Sequence, residues 1–172
     1  SSLRRAASVH HVAAVQSEYS LSVRSPELGL VQTTAELGTA LVAFSPLGRS
    51  LLTDRPHLSD KVEKMDWLSK NPRFKGPNLN ANVKASSKFR TLALEFGVSS
   101  AALAIAWLLH KGDHIVPIPG TRSVNHFLEH CQGARMELSA EQVVQIEQIL
   151  PIGWAHGDRY SQKQWVGPEK YC

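Results

Sequence analysis

The 172 residues are 42% apolar and 20% charged, with a formal net charge of +4, a composition that suits one globular domain of ordinary size. The Lys and Arg are scattered rather than run together, so the charge gives no support to a nucleic-acid partner. The most apolar window, AALAIAWLLH, is too short to span a bilayer, SSLRRAASVHH lacks the apolar core of a signal peptide, and two cysteines without metal-type spacing point to a reducing cytoplasm rather than a disulfide scaffold.

In chain order, LRRAASV carries Leu3, Ala6, Ala7 and Val9 at helical spacing and reads as the end of a helix. VAAVQSEYS reads as a short buried strand. Pro26 opens a helix through LGLVQTTAELG, with Gly38 placed as its C-cap. TALVAFSPLG is a second buried strand, closed by Pro46 and Gly48. Residues 53–82 are polar and irregular, a long loop of the kind that is either functional or disordered. Helical patterning resumes near Val83 and stops at Gly97. Ser99 caps a further helix, ALAIAWLLHK, that is apolar on most faces and should be buried. IVPIP is the third buried strand, SVNHFLEHC the helix after it, and LSAEQVVQIEQIL a last helix with Ser139 and Gln142 as a capping box. The tail, residues 152–172, has no period. It should wrap a surface or line a cleft, with Trp154 and Trp165, like Trp67, as possible wall residues or plain packing.

Short apolar strands alternating with helices predict an α/β fold with a parallel sheet covered on its faces. Three such strands leave both sheet edges open. The order therefore reads as part of a larger α/β structure, and the helical start without an initiator Met reads as a cut.

Ligands of parallel α/β folds bind at the carboxyl ends of the strands. Polar residues cluster there: Gln16, Ser17 and Glu18; Ser45; and Gly120, Thr121 and Arg122. At the third strand, Gly120 would let a phosphate approach the backbone, the helix starting at Ser123 would offer free N–H groups, and Arg122 could pair with the phosphate. SPLGRS, with Gly48 and Arg49, repeats the pattern at the second junction. A plain turn with a solvated arginine explains either junction singly; their coincidence favours phosphate. Phe44 is either core or a platform for a heteroaromatic ring, and Gln16 either a carboxamide partner or a strand-end amide satisfied by backbone. Glu18 and Tyr19 could act as acid or base, though such a carboxylate more often pairs with Arg or Lys. His126 and His130 lie four apart without a third ligand, so no metal is expected.

VAAVQSEYSL, ALVAFSPLGRSLL, NPRFKGPNL, ALAIAWLLHKG, PIPGTRSVNHFLEH and GDRY, in this order, resemble the C-terminal half of an aldo-keto reductase of the bacterial and plant type. The resemblance implies a partial (β/α)8 barrel over residues 1–172, roughly strands six to eight with their helices, and an NADPH-dependent reductase of aldehydes and ketones. Carried over by position, Gln16 would hold the nicotinamide carboxamide and Phe44 would stack on its ring. Ser45, Leu47, Gly48 and Arg49 would surround the pyrophosphate, and Gly120, Thr121 and Arg122 would clamp the 2′-phosphate. Glu129 would contact adenine, flanked by His126. Ser50, Phe44 and His130 depart from the family's Gly, Tyr and Asn. The family's catalytic Asp, Tyr, Lys and His belong to the first half of the barrel, so no catalytic residue is assigned, Tyr19 included. The expected partners are a small-molecule carbonyl substrate and either the N-terminal half of the barrel or a second copy. The competing expectation is a truncated, non-catalytic half-barrel that binds or self-associates.

Overall fold

In the computed structural model, which describes residues 1–166, three strands form one parallel sheet in the order β1-β2-β3. A short helix α1 (Ser2–Ala7) precedes β1 (Ala14–Glu18), and α2 (Leu30–Leu37) leads to β2 (Ala40–Phe44). After α3 (Ser59–Val62) come the long α4 (Gly76–Glu95), α5 (Ser100–His110), β3 (Ile115–Pro117), α6 (Val124–Arg135) and α7 (Ala140–Ile149). The register pairs Glu18 with Phe44 and Ala43 with Pro117, so all three strands end at one level.

The core forms because α5 has an apolar residue or a small one at nearly every position. Ser100 through Leu108 are all buried, and burial of each large apolar side chain contributes about 1.5–3 kcal/mol. Ser99 Oγ accepts from the Ala102 N–H to cap this helix, and Ser139 and Gln142 make the expected capping box on α7. Trp107 lies at the centre, edge-on to Tyr19 at 5.8 Å, with its Nε1–H donating to Glu147 on α7.

Several expectations need correction. β1 is buried only at Ser17 and Glu18, because no neighbouring strand covers its outer edge. The helix expected from Pro26 is a single 3-10 turn (Ser25–Leu28) separated from α2 by Gly29 at φ +145°. The 53–82 loop ends sooner, since α4 starts at Gly76. Pro77 in its first turn costs nothing where no intrahelical N–H is needed, and the buried Asn82 brackets the His156 backbone with both amide atoms. Among the described residues no single helix is long and apolar enough to cross a membrane. α4 and α5 pass that test as a pair but bend by 89° between them.

The tail behaves as a strap. Trp154 Nε1–H donates to the Leu21 carbonyl (2.8 Å), Asn71 to that of Arg159 (2.7 Å), and Arg73 Nε–H to that of Gly157 (3.2 Å). This lays residues 153–160 across the end of β1 and brings Tyr160 to the mouth of the sheet. The rest of the tail, residues 167–172, lies outside the described residues.

Candidate functional site

The turn after β2 concentrates the backbone strain of the described residues. Ser45 (φ +51°), Arg49 (φ +55°) and Ser50 (φ +88°) are the only non-glycine residues with positive φ among those described. Such strain persists only where surroundings enforce it, and it concentrates at functional sites. Gly48 also has positive φ, and a Cβ there would sit 2.9 Å from Ser22 Oγ. Its glycine thus serves packing beneath the turn.

This turn and the β3–α6 junction face each other across a cavity of about 910 Å³. The first turn of α6 forms one wall through Ser123, Asn125 and His126, with Thr121 Oγ1 accepting from the Ser123 N–H (3.1 Å) and Ser123 Oγ capping His126. Glu129 and the buried His130 continue that wall. Burial holds the His130 imidazole below its ordinary pKa, with Glu129 opposing and His126 assisting. The facing wall comes from residues 53–61: Arg55, His57 and Lys61 supply positive charge or donors. Asp54, an acid in the same wall, is occupied by the Ser100 N–H and hydroxyl (2.9 and 2.6 Å). A helix N-terminus, hydroxyls and cations around one cavity fit a polyanionic ligand such as a nucleotide phosphate.

A second cavity, about 660 Å³, adjoins the first and is lined by Phe44, Met65, Trp67, Leu68 and Tyr160. Ser45, Arg49 and His57 line both. Beneath them Glu18, 2% exposed, accepts from Arg49 at 2.8 and 2.9 Å and pairs with Arg159 at 3.5 Å. The Arg49 guanidinium also stacks on Trp67 and Tyr160 (4.9 and 4.8 Å to the ring centres). Arg73 completes the cluster, its pKa pushed down to about 10 by burial, against the pull of Glu18. Glu18 is therefore an arginine anchor. Tyr19 is equally committed: it donates to Glu27 (2.9 Å), and burial, reinforced by that carboxylate, pushes its pKa far up.

Eight of the residues singled out in the sequence meet at the larger cavity: Ser45, Leu47, Arg49, Gly120, Thr121, His126, Glu129 and His130. Phe44 lines the smaller one. Three line neither. Gln16 is exposed on the open edge strand, Gly48 is buried below the turn, and Arg122 is exposed between two residues of the cavity wall. Arg49 lines both cavities, but its guanidinium is held by Glu18, a carboxylate it shares with Arg159. A Cβ on Gly120 would meet nothing within 4 Å, consistent with an open approach to the backbone. Sequence reasoning missed Arg55 and His57, which sit in an aperiodic loop, and Lys61, which sits in the four-residue α3. It also missed Asn125, which its place in the first turn of a capped helix could have signalled.

Among known proteins, the sequence pattern described as the aldo/keto reductase family matches residues 1–151. The chain belongs to the aldo/keto reductase family. It is 34% identical over 161 residues to an aldo-keto reductase of Schizosaccharomyces pombe, yakc, whose name specifies NADP(+), covering 92% of this chain and 47% of that protein. It is 32% identical over 160 residues to the aldo-keto reductase str7 of Strobilurus tenacellus, covering 91% and 48%. The chain thus spans about half the length of these relatives. In three dimensions it is similar to a glycerol dehydrogenase from Gluconobacter oxydans (TM-score 0.69, 24% identity, 84% of this chain and 44% of that one). It is also similar to a thermostable aldo-keto reductase crystallised with the inhibitor epalrestat (TM-score 0.56, 25% identity, 79% and 39%). The three strands and their helices are a part of the family's barrel.

Proposed function

We propose that this chain forms the NADPH-binding portion of a reductase that converts aldehydes or ketones to alcohols. The observation that carries the reading is the convergence of the 45–50 and 119–126 junctions on one cavity with a helix N-terminus and cations in its walls. Within it, Ser45, Leu47, Thr121, Ser123 and the first N–H groups of α6 would hold phosphates. Arg122, exposed and beside the wall, would reach a 2′-phosphate from the rim. Phe44 and the apolar cavity beside it would take the nicotinamide and exclude water there. When bound, a reduced nicotinamide supplies a hydride; the proton would come from an acid outside these residues, because Tyr19 is held by Glu27 and Glu18 by its arginines.

A second reading rests on a different observation. Val116 and Ile118 at the β3 edge and Val124, Phe127 and Leu128 on α6 are all at least 45% exposed, a face that suits either the complementary half of a barrel or a second copy. On that reading the chain is a binding or self-associating half-barrel without turnover.

Titration of the chain with NADPH and NADH, followed by tryptophan fluorescence, separates the two. The expected result is saturable binding with NADPH ahead of NADH, and an Arg122→Ala variant weaker for NADPH by about tenfold while unchanged for NADH. A folded chain that binds neither nucleotide sinks the reductase reading.

A further inference from the structure

His57 is one of three residues that line both cavities, and it is unlike the other two. Arg49 is spent on Glu18 and on its two aromatic neighbours. Ser45 is a short side chain on a left-handed backbone. With Arg49 engaged and Ser45 short, the imidazole is the group at the neck that combines reach with hydrogen-bonding capacity to spare.

Its position is fixed from two directions. The His57 N–H donates to Ser50 Oγ at 2.9 Å. Three residues earlier, Asp54 Oδ1 accepts both the N–H and the hydroxyl of Ser100, which ties the same loop to the start of α5. A residue tethered this way presents its ring without paying to order a loop on binding.

The ring's chemistry follows from one buried atom. Nδ1 is shut off from solvent and has no hydrogen-bond partner among the described residues. A proton there would be a buried, unsatisfied N–H, so the neutral ring favours the tautomer protonated on Nε2. Burial lowers the pKa of the ring, and the charge of Lys61 lowers it further. Nε2–H is then the donor left to serve whatever passes between the cavities.

We propose that His57, held by Ser50, is a ligand-positioning residue that donates from Nε2 to an oxygen of the dinucleotide segment crossing the neck, the nicotinamide-side phosphate and ribose. This rests on the nucleotide reading above. The polar cavity takes the adenosine end, the apolar one the nicotinamide, and the connecting oxygens must pass Ser45, Arg49 and His57.

The test compares NADPH with adenosine 2′,5′-bisphosphate, which carries the 2′-phosphate and the adenosine-side phosphate but lacks the second phosphate and the nicotinamide ribose. Calorimetric titration of the full 172-residue chain is run on the parent, His57→Leu and His57→Gln, with thermal melts alongside. His57→Leu should weaken NADPH by about tenfold and leave the bisphosphate within about twofold, the size expected for one lost hydrogen bond to a charged or strongly polar oxygen. His57→Gln, whose amide nitrogen falls near the position of Nε2, should recover NADPH binding to within about threefold of the parent; a merely structural role would not be rescued this way. Unchanged NADPH binding in a folded His57→Leu overturns the proposal, as does an equal loss for both ligands or a failed rescue by Gln. Should the Leu variant not fold, an NADPH affinity for a folded His57→Gln about tenfold or more below the parent's overturns it as well. A parent that binds the bisphosphate but not NADPH contradicts the neck assignment, whereas one that binds neither rejects the nucleotide reading itself.

Discussion

Ser50 shows how a single residue can break a local rule for a reason visible only in three dimensions. A serine at φ +88° carries a left-handed backbone that glycine would adopt without cost, yet its hydroxyl accepts the His57 N–H. Ser50→Ala would keep the strain and lose the acceptor; Ser50→Gly would lose the acceptor and shed the strain. Glycine should therefore be the more stable of the two by about 1 kcal/mol, measured as the difference in urea midpoints at equal slope. The opposite order would mean that the left-handed turn is not enforced. The sequence pattern had marked Ser50 as a departure, and had marked Ser45 and Arg49 as site residues. It could not show that Arg49 faces a buried Glu18, because the two lie 31 positions apart and meet only when β1 and β2 pair in register.

At the scale of elements, the site depends on where α6 begins, and that is set by how α6 sits on α5. A Cβ on Gly133 would come within 2.4 Å of the Ala102 carbonyl oxygen. Backbone, unlike a flexible side chain, cannot step aside, so Gly133→Ala must push α6 away from α5. The expected cost is about 1–3 kcal/mol, with weaker binding of NADPH at the proposed site because the Ser123–His126 turn moves with its helix. A melt and a titration indistinguishable from the parent would show that the two helices are not in close contact there. Helix caps at Ser99, Ser123 and Ser139 were readable in advance, since a cap is a local arrangement of neighbouring residues. The start of α4 was not, because Gly76, Pro77, Asn78 and Asn80 all favour turns locally. What makes that segment helical is tertiary: Leu79 is buried in the core and Asn82 is claimed by the tail.

For the whole molecule, the decisive feature is that the parallel sheet has two uncovered edges. β1 exposes Ala14 and Gln16, and β3 exposes Val116 and Ile118 beside the apolar face of α6. Unpaired strand edges next to exposed apolar side chains recruit a partner. Expressed without any complementary segment, the 172-residue chain should sediment as a species larger than its 18.9 kDa monomer. Phe127→Glu, at a position 57% exposed and outside both cavities, should shift it toward monomer. A parent chain that is monomeric across the micromolar range would show that these edges are tolerated in water.

What the sequence by itself determined is the class of fold, the order of strands and helices, and the two junctions that frame the larger cavity. Each of these is written in short stretches: apolar runs of strand length, caps next to the helices they start, and SPLGR and PIPGTR at strand ends. The tertiary structure alone decided which of those residues share a cavity, that Arg49 is held by Glu18, and that Gln16 and Arg122 stand outside the walls. It also brought His57 to the neck between the cavities. These are contacts between segments distant in the chain, fixed by the parallel register and by the packing of α5, α6 and the C-terminal strap. No pattern within a single segment encodes them.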